Sequence, residues 1–253
     1  MTEQPLRLLR AGTSRQLVCF HHAGGMAEYF LPWRDGVAQE SALYATQLPG
    51  HGARMNETPL TCLHQMADRL AAACHFLPRR PTFFFGHSMG AALAFEVALR
   101  LQKQGRPVDG LAVSGRLPPH RNSGSDYYRQ SDSRLMDKVT RLSGDEMPSG
   151  QASELLTLLM PVFRADFQAI ETYQRRCEEK LSCPVFAAVG ERDSEVSVEE
   201  MSQWERVTGH RFNLKVFSGG HFYLQHQRSA LLAFLNRECD RASGASVKEY
   251  HEI

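Results

Sequence analysis

No apolar stretch in this 253-residue chain approaches the roughly eighteen residues that a membrane-spanning helix needs, so an integral membrane protein is not expected. One-sided charge is missing as well. Lys and Arg number 29 against 28 Asp and Glu, a formal net charge of +1, which argues against nucleic acid or an anionic membrane as the main partner. The six cysteines (19, 62, 74, 177, 183, 239) show no C-x-x-C spacing, and several fall in apolar contexts, as reduced cytosolic thiols do. Met1-Thr2-Glu3-Gln4-Pro5 lacks the charged-then-apolar pattern of a secretory signal, so the cytoplasm is the expected location. No H-E-x-x-H or paired-cysteine pattern accompanies the adjacent His21 and His22, which are therefore not read as metal ligands, and no metal or other cofactor is expected. Internal repeats are absent too. With 42% apolar residues, the chain can bury one substantial core, and residues 1–253 are expected to form a single domain.

Strand-like runs at 16–20, 43–47, 82–85, 110–114, 184–189 and 213–217 alternate with helical segments near 61–77, 89–104, 199–208 and 226–240. That alternation predicts an α/β fold with a mostly parallel sheet and helices on both faces. The rhythm breaks between Arg116 and Ser182. Residues 118–133 read as loop, followed by helices at about 133–142, 151–159 and 162–178, with Pro161 suited to a first helical position. An insertion over about 116–182, between two sheet strands, is read as a helical lid. Its apolar residues Leu155, Leu158, Leu159, Phe163 and Phe167 are expected to line the substrate chamber, with Gly144 and Gly150 as joints. The polar residues 242–253 are expected to fray.

The most informative segment is Gly86-His87-Ser88-Met89-Gly90, which follows the apolar run 82–85 and opens a helical stretch. A strand, a sharp turn and a helix form a nucleophile elbow, in which crowding around the serine requires glycine two residues to either side. A base and an acid should follow in the order Ser, Asp or Glu, His. Of the later histidines, His221 sits in Ser218-Gly219-Gly220-His221-Phe222, just past a strand's carboxyl end, whereas His210 precedes that strand, His226 falls in a helical stretch and His251 in the tail. Three carboxylates compete after strand 184–189: Glu191, Asp193 and Glu195. Asp193 has the shorter side chain and a Gly-x-x-Asp spacing, and the glutamates read as solvated. Two backbone N–H groups are needed for an oxyanion, one from Met89 and the other from the loop His21-His22-Ala23-Gly24-Gly25, with Ala23 the candidate donor.

Nearly the whole chain resembles the type II thioesterases, free-standing α/β-hydrolases that accompany nonribosomal peptide and polyketide synthetases. Residues 19–25 resemble that family's first-loop motif. Gln47-Leu48-Pro49-Gly50-His51-Gly52, with Arg54 downstream, resembles its Leu-Pro-Gly motif, and residues 86–91 its elbow. Residues 159–167 resemble its lid helix and 219–222 its histidine loop. His21 departs from the family's usual proline. The resemblance implies a Ser88–His221–Asp193 triad with Ala23 and Met89 as oxyanion donors. It implies hydrolysis of acyl thioesters through an acyl-serine, editing stalled or misprimed carrier-protein phosphopantetheine arms, by an expected monomer. Acyl- or peptidyl-carrier domains are the implied partners, with Arg116, Arg121, Arg129 and Arg134 as candidate contacts. Medium-chain acyl release from a fatty acid synthase is the alternative, and a non-catalytic hydrolase-fold binding protein the remote one.

Overall fold

A computed structural model of the chain describes residues 4–121, 124–143 and 151–249, and all of their side chains except those of 143, 151–157 and 245–249. Seven strands form one sheet: β1 (Leu6–Arg10), β2 (Arg15–Phe20), β3 (Ser41–Thr46), β4 (Thr82–His87), β5 (Gly110–Ser114), β6 (Val185–Gly190) and β7 (Phe212–Phe217), in the order β1-β3-β2-β4-β5-β6-β7. Every pairing is parallel except that of β1 with β3. Six helices accompany them: α1 (Leu63–His75), α2 (Met89–Lys103), α3 (Asp132–Ser143), α4 (Gln151–Glu171), α5 (Val198–Ser202) and α6 (Arg228–Glu249). This is the α/β-hydrolase arrangement, with α3 and α4 forming the expected insertion between β5 and β6.

Central strands are apolar on both sides because helices cover both faces. Alternation along each strand divides the core. Val18, Phe20 and Phe84 meet α1 and α2 on one face, and Leu17, Cys19, Phe83 and Phe85 meet the turn Ala27–Trp33 and α6 on the other. Both layers converge on β4, whose carboxyl end carries Ser88.

The structure corrects the sequence reading at four places. β1 was not expected: its Leu-Arg-Leu-Leu-Arg pattern leaves Leu8 half exposed at the sheet margin, where an edge strand needs no continuous apolar face. The two helices expected at 151–159 and 162–178 are one helix, α4, with Pro161 inside it rather than at its start. Proline removes one N–H from the helical ladder, yet Met160, Phe163 and Phe167 pack on α3 from either side of it. α4 then ends at Glu171, and Tyr173 turns inward to donate its hydroxyl to Glu96 on α2 at 2.7 Å. The stretch 199–208 divides into α5 and a short 3-10 turn, Gln203–Val207. Finally, α6 runs through Glu249, so residues 242–249 are helical rather than frayed, and His226 lies in the turns before it.

Candidate active site

Ser88 has φ 54° and ψ −120°, a positive φ that no other non-glycine residue among those described adopts. The chain reverses there within one residue, and both flanking glycines are sterically required. A Cβ on Gly86 would lie 2.1 Å from the Gly90 carbonyl oxygen, and one on Gly90 would lie 2.1 Å from that of Phe20. The Ser88 N–H donates to the Ser114 carbonyl at 2.8 Å, pinning the turn to β5. Backbone strain of this kind persists only where the surroundings enforce it.

The loops after β6 and β7 bring Asp193 to His221. Both Asp193 carboxylate oxygens lie 3.0 Å from His221 Nδ1, and the two side chains are 0% and 2% exposed. The Glu195 N–H donates to Asp193 Oδ1 at 2.8 Å. Both oxygens of one carboxylate facing Nδ1 make that nitrogen the proton-bearing one, so Nε2 is left with its lone pair. Nε2 is buried and has no hydrogen-bond partner among the described residues, and His221 lines the same cavity as Ser88. Glu191 is held by Arg192 and Ser218 at the surface, as expected of a solvated charge. Glu195 is different: it accepts from Lys138 and lines the cavity.

Two further imidazoles pack around His221: His22 lines the cleft, and His87 is buried behind it. His87 lies 4.8 Å from His221 between ring centroids, and Ser114 Oγ lies 3.0 Å from its Nδ1. Its pKa is held well below the usual range by burial and by the neighbouring histidines His221 and His22. His22 sits edge-on between Tyr29 and Phe222, and burial with the same kind of repulsion drives it down to about 3. Both stay neutral, which keeps extra positive charge away from His221.

The loop bearing Ala23 is anchored from the insertion. Asp166, fully buried on α4, accepts the Gly24 N–H at 2.7 Å and lies 2.9 Å from His51 Nε2, while His51 Nδ1 lies 2.9 Å from the Pro49 carbonyl. Burial works against a charged His51, but the Asp166 carboxylate outweighs it and raises the pKa, so an imidazolium donates in both directions. His21, at the position of the family's proline, lies tilted against His51 with ring centroids 4.9 Å apart, and burial together with repulsion from His51 lowers the His21 pKa to about 3. Gly24 has φ +72°, and a Cβ there would lie 2.0 Å from the Phe163 ring. Sequence reasoning noted the motifs containing His51 and Asp166 without assigning them a role. The two are 115 positions apart and share no local pattern, and a lone acidic residue among the apolar positions of α4 was the available signal.

Ala23, Met89, Phe163 and Phe167 join Ser88 and His221 around one cleft of about 810 Å³, counting its open mouth. Leu159 packs beside Phe163 and Phe167 on α3. Leu158 does not belong to this wall: it is 65% exposed, because one residue of helix turns it about 100° away from the 159–163–167 stripe. Leu155 lies outside the described side chains, and Gly144 and Gly150 outside the described residues. Arg116 is corrected as a surface contact: it is half-buried, lines the cleft, and burial lowers its pKa to about 10. Arg121 pairs with Glu200 at 3.6 Å, and Arg129 lies over the Tyr128 ring at 5.2 Å.

A family model for the thioesterase domain matches residues 15–239. The chain belongs to the thioesterase family. It is 38% identical to the thioesterase PikA5 of Streptomyces venezuelae over 84% of its own length and 76% of that protein's. Gramicidin S biosynthesis protein GrsT of Aneurinibacillus migulanus shares 32% identity over 88% of each chain. Among solved structures, the type II thioesterase BorB from the borrelidin biosynthetic cluster superposes with a TM-score of 0.87 at 34% identity, covering 94% of this chain and all of that one. This thioesterase is therefore a thioester hydrolase of the α/β-hydrolase fold, and its type II resemblance extends across sequence and structure. No helix among the described residues is long and apolar enough to cross a membrane.

Proposed function

We propose that this thioesterase removes unproductive acyl groups from phosphopantetheine arms of carrier proteins, using Ser88, His221 and Asp193 as a triad. The reading rests chiefly on the two-sided approach of Asp193 to His221 Nδ1 beside a strained elbow serine in one cleft. His221 Nε2 takes the Ser88 proton as the hydroxyl attacks the thioester carbonyl. The developing oxyanion is bound by the N–H groups of Ala23 and Met89, the latter at the positive end of α2. Asp166 serves this step indirectly. By accepting the Gly24 N–H, it fixes the peptide next to Ala23 and so the direction of the donor loop. Collapse expels the pantetheine sulfur, a good leaving group with a thiol pKa of about 8.5, which takes the proton back from His221, and the neutral His221 then activates water against the acyl-serine.

Two relatives are named for biosynthetic routes, gramicidin S for GrsT and the borrelidin cluster for BorB, which supports a place in nonribosomal peptide or polyketide synthesis with carrier domains as partners. The enzyme acts as a monomer in the cytoplasm. The test compares kcat/KM for one acyl group on a carrier protein and on coenzyme A, at low and high salt. The carrier should be the better substrate, with part of the advantage lost in salt because encounter with an acidic carrier is electrostatically assisted. Equal efficiency on both would remove the carrier from the account.

A further inference from the structure

The cleft has one feature that thioester hydrolysis does not use. Its insertion side sets the apolar Val139, Leu142, Phe163, Phe167 and Ile170 beside Arg116, Lys138 and Glu171. Arg116 follows Gly115, where a Cβ would lie 3.2 Å from Asp193 Oδ2 and 3.3 Å from the His221 ring, so the chain passes directly beneath that pair. Trp204 Nε1 donates to the Arg116 carbonyl at 2.7 Å and holds this segment in place.

The guanidinium carries five N–H donors. Among the described residues, its side-chain partner is the Ile170 carbonyl at 3.5 Å, the outer limit of a hydrogen bond. The Glu195 and Glu171 carboxylates favour its charge from nearby, but neither accepts a hydrogen bond from it. Glu171 accepts the Tyr127 and Tyr128 N–H groups at 3.1 and 3.0 Å, and Glu195 accepts from Lys138. Desolvating a charged fork without acceptors is costly, and an all-hydrocarbon acyl chain would add to that cost by displacing water from it. An acyl group with its own oxygen would supply the acceptor, and a carboxylate could do so bidentately.

We infer that Arg116 is a subsite for an acceptor oxygen, ketone or carboxylate, carried by the acyl group beyond the thioester carbonyl. This rests on the reading of the cleft as the acyl chamber. The competing structural role is a cap on the last turn of α4 through Ile170, which would serve stability alone.

Hydrolysis of N-acetylcysteamine thioesters of hexanoic, 3-oxohexanoic, 5-oxohexanoic and glutaric acids by the full chain and by Arg116→Met and Arg116→Lys separates the two. The subsite requires that Arg116→Met lower the kcat/KM ratio of the best oxygenated substrate to hexanoyl by about tenfold, the worth of one charged hydrogen bond. Arg116→Lys should restore part of it. The substrate showing the largest drop identifies ketone or carboxylate and its distance from the thioester. If all four thioesters change by one common factor in the folded variants, whatever the melting temperature does, the subsite is refuted. Arg116→Lys alone carries this comparison if Arg116→Met does not fold, its ratio then falling below wild type. Hexanoyl turnover that survives Ser88→Ala would instead contradict the triad, and is distinguishable because it does not involve the ratio.

Discussion

The two walls of the cleft are made in different ways. On one wall, Ser88, Asp193 and His221 each follow a parallel strand, and backbone contacts leave each loop almost no freedom. Glycines 86, 90 and 190 stand where a Cβ would lie 2.1 to 2.3 Å from a backbone oxygen. The other wall, α3 and α4, meets the first mainly through side chains: Phe163 over Gly24, and Asp166 to Gly24 and His51. Reaction geometry is thus fixed by the sheet, and chamber shape by packing that substitutions can alter. Asp166 breaks the division, since it lies on the adaptable wall but holds the Gly24 N–H of the Ala23 loop on the rigid one.

The largest effects should come from the strand-end wall. Ser88→Ala and His221→Ala should each lower kcat by about 10⁶-fold, because the residues act as a unit. Asp193→Asn should cost about 10⁴-fold by favouring the wrong imidazole tautomer. Near-normal turnover of Asp193→Asn, with Glu195→Gln inactive, would move the acid to Glu195.

Asp166→Asn sharpens the comparison, as it tests whether α4 reaches into the chemistry. A decrease in kcat on the order of tenfold to a hundredfold is expected, comparable to weakening one oxyanion donor, with KM little changed. Affinity for a trifluoromethyl ketone, which mimics the oxyanion, should fall in parallel. If Asp166 only braces the fold, the melting temperature falls while inhibitor affinity stays unchanged.

Phe163→Ala and Phe167→Ala should have smaller effects on rate and should re-rank short against long acyl chains. An unchanged chain-length profile with a sharply lowered melting temperature would show that these rings serve only the core. The motion assigned to the lid must also be narrowed. Phe163 and Asp166 fasten the second half of α4 to the Ala23 loop, so any chain-length control by this half is expected to act through shape.

The remaining effect is on stability against pH rather than on turnover. His21 and His87 are buried with pKa values below the unfolded value of about 6.5. Below that pH the unfolded chain binds protons that the folded chain refuses, so stability falls as pH drops, by about 1 kcal/mol per pH unit for each fully shifted histidine. His51 has the opposite sign: its raised pKa gives stability that is fully present below about 6.5 and lost as pH rises through the folded value. Urea midpoints should therefore decline from about pH 6.5 toward pH 4.5, and a flat profile would contradict the burial of neutral imidazoles.

The contrast between the walls also explains what could be read in the sequence. Ser88, Asp193 and His221 were legible because each follows an apolar strand with glycine nearby, a local pattern caused by local sterics. Six of the seven strands were visible for the same reason, and β1 was not because two arginines interrupt its short run and none of its residues is buried. On the insertion wall, the helical stripe disclosed Phe163 and Phe167 but placed Leu158 on the wrong face, and Pro161 suggested a break that packing overrides. Asp166, His51 and Arg116 take their roles from tertiary neighbours, which no spacing encodes.

Intact-protein and peptide mass spectrometry of the enzyme mixed with acyl-loaded carrier protein tests the triad most directly. The account requires the carrier to lose the acyl mass, with a transient acyl adduct on the Ser88 peptide and neither event in Ser88→Ala. Unchanged unloading by Ser88→Ala, or an adduct on another residue, would contradict it.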